Sequence, residues 1–225
     1  MDIPLEIIRL DPPKKESNAY GLDTNTAKLE AWLEHFTEDT IFCDCDMLVR
    51  SDITDGFDGV ANVGYTVRTK SGFPFNAGVI FARHTEYSQR FFEEWVRVNR
   101  LMHNDRKLRD TWSKVVPGIN QPALAHMLED GWVADQVAEE YNMCDLKRWR
   151  DGKMVHIKSD LRNTVFLKRR RALRDPLHRT LHEVFWTYLG IDPEEALWGK
   201  NLVRVQKARA RGHVRKLRQE KNISL

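Results

Sequence analysis

The chain has 225 residues, 41% of them hydrophobic, and sets 36 Lys+Arg against 33 Asp+Glu for a net charge of +3. This size and composition suit one packed domain with a small appendage. They exclude a peptide-sized scaffold and a disordered polymer, and no apolar run approaches the roughly 18 residues that a membrane-crossing helix needs.

Residues 1–10 include Asp2, Glu6 and Arg9, which interrupt the apolar core of any signal peptide, so a cytoplasmic location is expected. The three cysteines agree with a reducing compartment: Cys43 and Cys45 are too close for an ordinary disulfide, and Cys144 is distant in sequence. Residues 3–10 (IPLEIIRL) read as a strand closed by Asp11-Pro12-Pro13, and residues 14–23 as a polar loop. Thr24 or Asn25 then caps a helix carrying Leu29, Trp32, Leu33 and Phe36 at helical spacing. Thr40-Ile41-Phe42-Cys43 is a short buried strand that runs through Asp44-Cys45-Asp46 into the apolar Met47-Leu48-Val49.

Residues 60–68 and 75–82 read as further strands, and residues 85–102 as a long amphipathic helix with Phe91, Phe92, Trp95, Val98 and Leu101 inward. Residues 103–109 form a polar connection, followed by a helix at 121–128 and short strands at 132–137 and 154–157. From Asn163 the pattern is helical, at 168–173, 177–189 and 193–219. The strand, helix, strand order predicts an α/β protein: a mainly parallel sheet flanked by helices over residues 1–162, then a basic helical extension over residues 163–225.

Charge divides at the same place. Residues 1–161 hold 20 Lys+Arg and 27 Asp+Glu, whereas residues 162–225 hold 16 and 6. Such a tail suits an anionic partner, such as a membrane surface, phosphates or nucleic acid, or else forms a solvated helical face.

Asp44-Cys45-Asp46 is the only Asp-x-Asp in the chain. It stands at the end of an apolar strand, where a parallel sheet presents its carboxyl-terminal edge, and carboxylates placed there need partners. A divalent cation holding a diphosphate is one such partner, because hard oxygen ligands suit Mg²⁺ or Mn²⁺. A solvated strand end or an arginine-paired turn is the alternative.

The run IFCDCDMLVRSDI resembles the Asp-x-Asp segment of nucleotide-diphospho-sugar transferases with the glycosyltransferase-A fold, closest to the glycogenin-like family 8. The resemblance continues in order through Phe75-Asn76-Ala77-Gly78-Val79-Ile80, Asn120-Gln121-Pro122-Ala123-Leu124 and Val155-His156, covering about residues 3–162. It implies that Asp44, Asp46 and His156 hold Mn²⁺ or Mg²⁺, with Asp44 touching the metal or the ribose. Asn76, Ala77, Gly78 and Lys28 would face the donor, and Asn120 and Gln121 the sugar and reacting centre. Arg162 would hold the departing diphosphate, standing where the family has Lys in His-x-x-Gly-x-x-Lys; Ser159 replaces the Gly. Asn120 occupies the place of a family aspartate. The family's first β-α unit, which binds base and ribose, has no counterpart before Ile3, so the start is internal to a longer protein, or the nucleotide site is reduced, or activity is lost.

The resemblance therefore implies a metal-dependent transfer of a hexose from a nucleotide-diphosphate sugar, UDP-linked by preference, to a glycan, lipid or protein hydroxyl. The alternatives are a catalytically inactive member that binds sugar nucleotides or glycans and, last, a nucleic-acid-associated protein acting through the basic tail. The tail also offers peripheral attachment to anionic lipid.

Overall fold

The computed structural model describes residues 20–68, 73–113, 118–165 and 175–193. The strand expected at 3–10, the helix at 168–173, most of that at 193–219, and the basic runs at 168–171 and 204–216 lie outside them. The chain divides into two compact units after Ile157.

The first unit opens with α1 (Tyr20–Glu34), which begins before the expected Thr24 or Asn25 cap, so both residues lie inside the helix. β1 (Thr40–Cys43) follows with the expected limits, the apolar Met47-Leu48-Val49 forms a strand of its own, β2 (Met47–Val49), and Asp44-Cys45-Asp46 is the turn between them. β3 (Val63–Val67) and β4 (Phe75–Ala82) come next. Thr85 then caps α2 (Glu86–Asn104), its hydroxyl accepting from Ser88 N at 3.1 Å. α3 (Arg106–Ser113) falls where a polar connection was expected; Asp105 Oδ1 accepts from Leu108 N at 3.0 Å, as a capping residue does. α4 (Asn120–Glu129), β5 (Asp135–Val137) and β6 (Met154–His156) complete this unit.

Among the described residues, β1, β4, β3 and β5 form one sheet in that spatial order, and β2 pairs with β6. The α/β class matches the expectation, but the mainly parallel order does not: β4 is antiparallel to both β1 and β3, and only the β3–β5 pair is parallel. Residues 68–74, which join β3 to β4, are too few for a crossover, so these strands can only pair as a hairpin.

One face of the sheet packs against α1, α2 and α4. Trp32 stacks on Phe42 with centroids 4.9 Å apart, and Phe36 and Phe92 meet Phe42 edge-on. The other face carries Val79, Phe81, Val137 and Met154, so the β2–β6 ribbon and short 3₁₀ turns, rather than helices, cover it.

β4 holds an irregularity that shapes the site. Tyr65 pairs with Ile80 but Thr66 pairs with Asn76, so residues 77–79 stand against a single step of β3. Three extra residues exchange the two sets of alternating side chains. Phe75 before the bulge, Ala77 at its first position, and Ile80 and Ala82 after it all face the helix-side core, whereas Val79 and Phe81 face the ribbon.

The second unit contains α5 (Ser159–Val165) and α6 (Pro176–Tyr188). Asp175 caps α6 by accepting from Leu177 N, and Pro176 begins the helix, where its missing N–H costs nothing. Buried Trp186 donates from Nε1 to Val165 O at 3.1 Å, tying α6 to the end of α5. Tyr188 and Leu189 are exposed, and no described helix is long and apolar enough to cross a membrane.

Candidate metal centre

Backbone pairing from separate parts of the chain assembles the site. Asp44 N donates to Gly78 O at 2.9 Å, which fixes the end of β1 against the bulge in β4. β2 and β6 pair antiparallel with Met47 opposite His156, and Ile157 N donates to Asp46 O at 2.7 Å. The imidazole is thereby carried to the Asp-x-Asp turn. His156 Nε2 lies 3.0 Å from Asp46 Oδ1 and 3.5 Å from Asp44 Oδ2.

One ligand atom from each of Asp44, Asp46 and His156 lies within 4.8 Å of the others. His156 is 4% exposed, while the carboxylates keep 28% and 30% of their side-chain surface, so the group is anchored on one side and reachable on the other. Two hard carboxylates and one borderline imidazole suit a divalent ion such as Mn²⁺ or Mg²⁺. Lys28 Nζ, on α1, pairs with Asp44 Oδ1 at 2.7 Å and lies over the Trp32 ring. It offsets part of the negative charge of the two carboxylates.

Gly78 is required by close approach. A Cβ there would stand 2.8 Å from His156 Nδ1, nearer than real Cβ contacts come, and 3.0 Å from Asn142 Nδ2, tighter than nearly all of them. Asn76, fully buried, accepts at Oδ1 from Gly78 N at 3.3 Å and from Gln121 Nε2 at 3.2 Å; Gln121 Nε2 also reaches Phe75 O at 3.0 Å. The start of α4 is thus joined by hydrogen bonds to the strand that lies behind Asp44 and His156.

The other expected site residues are placed differently. The Ala77 side chain lies in the helix-side core, so only its backbone is near the site. Asn120 is 5% exposed, and among the described residues neither atom of its side-chain amide has a hydrogen-bond partner, although its backbone carbonyl accepts from Trp95 Nε1. Leaving a buried amide without partners is costly and uncommon. Arg162 is an exposed residue of α5, in the second unit.

Sequence reading missed Asn142 and Thr66. Asn142 is fully buried, with Oδ1 3.0 Å from His156 Nδ1 and Nδ2 donating to Thr66 Oγ1 at 2.8 Å. Thr66 in turn donates to Asn76 O at 3.1 Å. The available signal was a single polar residue between apolar neighbours, Tyr141-Asn142-Met143, all three buried. Cys144 Sγ, donating to Asn142 O and accepting from Asn76 Nδ2, closes the same network.

No protein-family model and no curated protein matches the chain. Among solved structures it is similar to the crystal structure of the glycosyltransferase GlyE of Streptococcus pneumoniae TIGR4, with 18% identity and a TM-score of 0.48. That similarity covers 73% of this chain and 43% of the other, so the chain spans less than half the length of that protein.

Proposed function

We propose that the protein is a metal-dependent glycosyltransferase that moves a hexose from a nucleotide-diphosphate sugar, UDP-linked by preference, to a hydroxyl acceptor. The observation that carries this reading is the convergence of Asp44, Asp46 and His156, beside a strand whose Asn76 is bonded to Gln121. These are the residues to which the sequence resemblance assigned the metal and the donor sugar.

Asp44, Asp46 and His156 would hold Mn²⁺ or Mg²⁺, and a cation bound there would neutralise charge developing on the departing diphosphate. Lys28 holds Asp44 in position and offers a second positive charge beside it for phosphate oxygens. Gln121 and Asn120 would supply uncharged amides that bind and orient sugar hydroxyls without adding charge to the reacting centre, while buried Asn76, its own amide bonded to Gly78, Gln121 and Cys144, holds Gln121 in place. The assignment of Arg162 to the diphosphate rests on the sequence resemblance alone, in which it stands where the family has Lys. The acceptor is a glycan, lipid or protein hydroxyl, and the basic runs at 168–171 and 204–216 would attach the protein to an anionic surface that displays it.

Calorimetric titration with UDP, with and without Mn²⁺, tests the reading before an acceptor is known. UDP should bind measurably better with Mn²⁺ present. Equal binding in both conditions would overturn a metal-dependent donor site. Metal-dependent binding with no release of sugar from any UDP-hexose would identify a sugar-nucleotide-binding protein, for which the amide at Asn120 in place of a carboxylate is the specific support.

A further inference from the structure

His156 can act as a metal ligand through Nε2 only if that nitrogen keeps its lone pair, which for a neutral imidazole means that the proton sits on Nδ1. The hydrogen-bond network behind the ring determines where this proton goes. Thr66 has one hydroxyl proton, and the Asn76 carbonyl 3.1 Å away can only accept, so the proton is committed to that bond. Thr66 Oγ1 is therefore an acceptor towards Asn142, and only the amide NH₂ can donate across the 2.8 Å contact. This fixes the amide orientation: Asn142 Oδ1 faces His156 Nδ1 at 3.0 Å, as an acceptor. The imidazole must then carry its proton on Nδ1, leaving Nε2 towards Asp44 and Asp46.

We propose that Asn142, oriented by Thr66, is a positioning residue that sets the His156 tautomer and ring orientation for binding a divalent cation. The inference rests on the reading of Asp44, Asp46 and His156 as metal ligands. All three members of the relay are buried: Thr66 and Asn142 completely, His156 to 4% exposure. Water therefore does not compete for their bonds, and a mismatched donor or acceptor has no cheap alternative partner. Partners of this kind behind a ligating histidine typically change metal affinity 10- to 100-fold when removed.

The relay makes opposite predictions for similar substitutions. Asn142→Leu removes the acceptor and should weaken Mn²⁺ binding by roughly 10- to 100-fold. Asn142→Asp keeps an acceptor for Nδ1–H but sets a second carboxylate oxygen against Thr66 Oγ1, acceptor against acceptor, so it should bind Mn²⁺ less well than wild type and better than Asn142→Leu. Thr66→Val keeps the volume but frees the amide to rotate, and should weaken binding roughly 10-fold, whereas Thr66→Ser keeps the hydroxyl and should restore it. Thr66→Val leaves Asn142 in place, so the test stands even if Asn142→Leu does not fold.

Two measurements decide the matter: Mn²⁺ affinity, from the paramagnetic resonance signal of the free ion, and ¹⁵N-edited NMR of the His156 ring in the Mg²⁺-loaded protein. Wild type should show a slowly exchanging Nδ1–H, which Thr66→Val loses and Thr66→Ser regains. Wild-type affinity and an unchanged Nδ1–H in Thr66→Val, or in a folded Asn142→Leu, would overturn the positioning role. His156→Ala and Asp46→Ala serve as controls: if they bind Mn²⁺ like wild type the metal reading itself fails, and if they lose binding while the relay variants keep it only the relay fails.

Discussion

His156 and Asp46 are 110 positions apart in the chain, yet Nε2 of one lies 3.0 Å from a carboxylate oxygen of the other, because β6 pairs with β2 immediately after the Asp-x-Asp turn. The pairing register, with Met47 opposite His156, brings the imidazole and both carboxylates to the same small region. A slip of one residue would turn the ring to the opposite face of the ribbon.

Asp46→Ala should abolish metal-dependent UDP binding and leave the protein folded. The carboxylate is about a third exposed, so its loss should change stability by no more than about 1 kcal/mol. Calorimetry with UDP and Mn²⁺ beside thermal unfolding checks both halves, and wild-type metal affinity in the variant would remove Asp46 from the site.

Gly78→Ala should damage the site through sterics alone. The added methyl would meet His156 Nδ1 at 2.8 Å and Cε1 at 2.9 Å, between the ring and the Asn142 amide. Expected results are a loss of about 1–3 kcal/mol in denaturant unfolding and a drop in Mn²⁺ affinity of roughly tenfold or more. A variant with unchanged affinity would show that the ring can shift and still ligate.

Lys28→Met separates two roles of one charge. The ammonium, 2.7 Å from Asp44 Oδ1, competes with a cation for that oxygen, so Mn²⁺ alone should bind the variant more tightly. UDP in the presence of saturating Mn²⁺ should bind it more weakly, and the difference should shrink as salt rises. Stability should move by less than about 1 kcal/mol, since both partners are partly exposed.

Asp39 gives a pH dependence away from the site. Its carboxylate accepts from the Arg83 guanidinium and from His84 N–H, and these bonds hold its pKa below the ordinary value. A carboxylate whose folded pKa is depressed contributes stability above its unfolded pKa, near 4, and loses it as pH falls through the folded value. Asp39→Asn should thus lower stability at neutral pH by up to about 1 kcal/mol, a figure limited by the exposure of the pair, and should reduce the acid-side fall below about pH 4. Urea unfolding across the acid range tests this; parallel pH curves for the two proteins would contradict it.

Local pattern in the sequence was sufficient for much of the architecture. The limits of β1 and β4, the start of the long helix at Thr85 and the placement of Asp44-Cys45-Asp46 directly after an apolar strand depend on side-chain period and helix-start chemistry, which operate over a few residues. Such patterns contain no strand direction: an apolar tetrapeptide such as Thr40-Ile41-Phe42-Cys43 reads alike beside a parallel or an antiparallel neighbour, and β4 proved antiparallel to both of its partners. Asp44, Asp46 and His156 were identifiable as an ordered set, but that they meet is a product of the β2–β6 register. The relay of Asn142 and Thr66 belongs wholly to the tertiary structure. Each is an ordinary polar residue within an apolar stretch, and it acquires a role only where the β4 bulge, the end of β3 and the segment before Cys144 bury their side chains together, where water cannot replace a missing hydrogen bond.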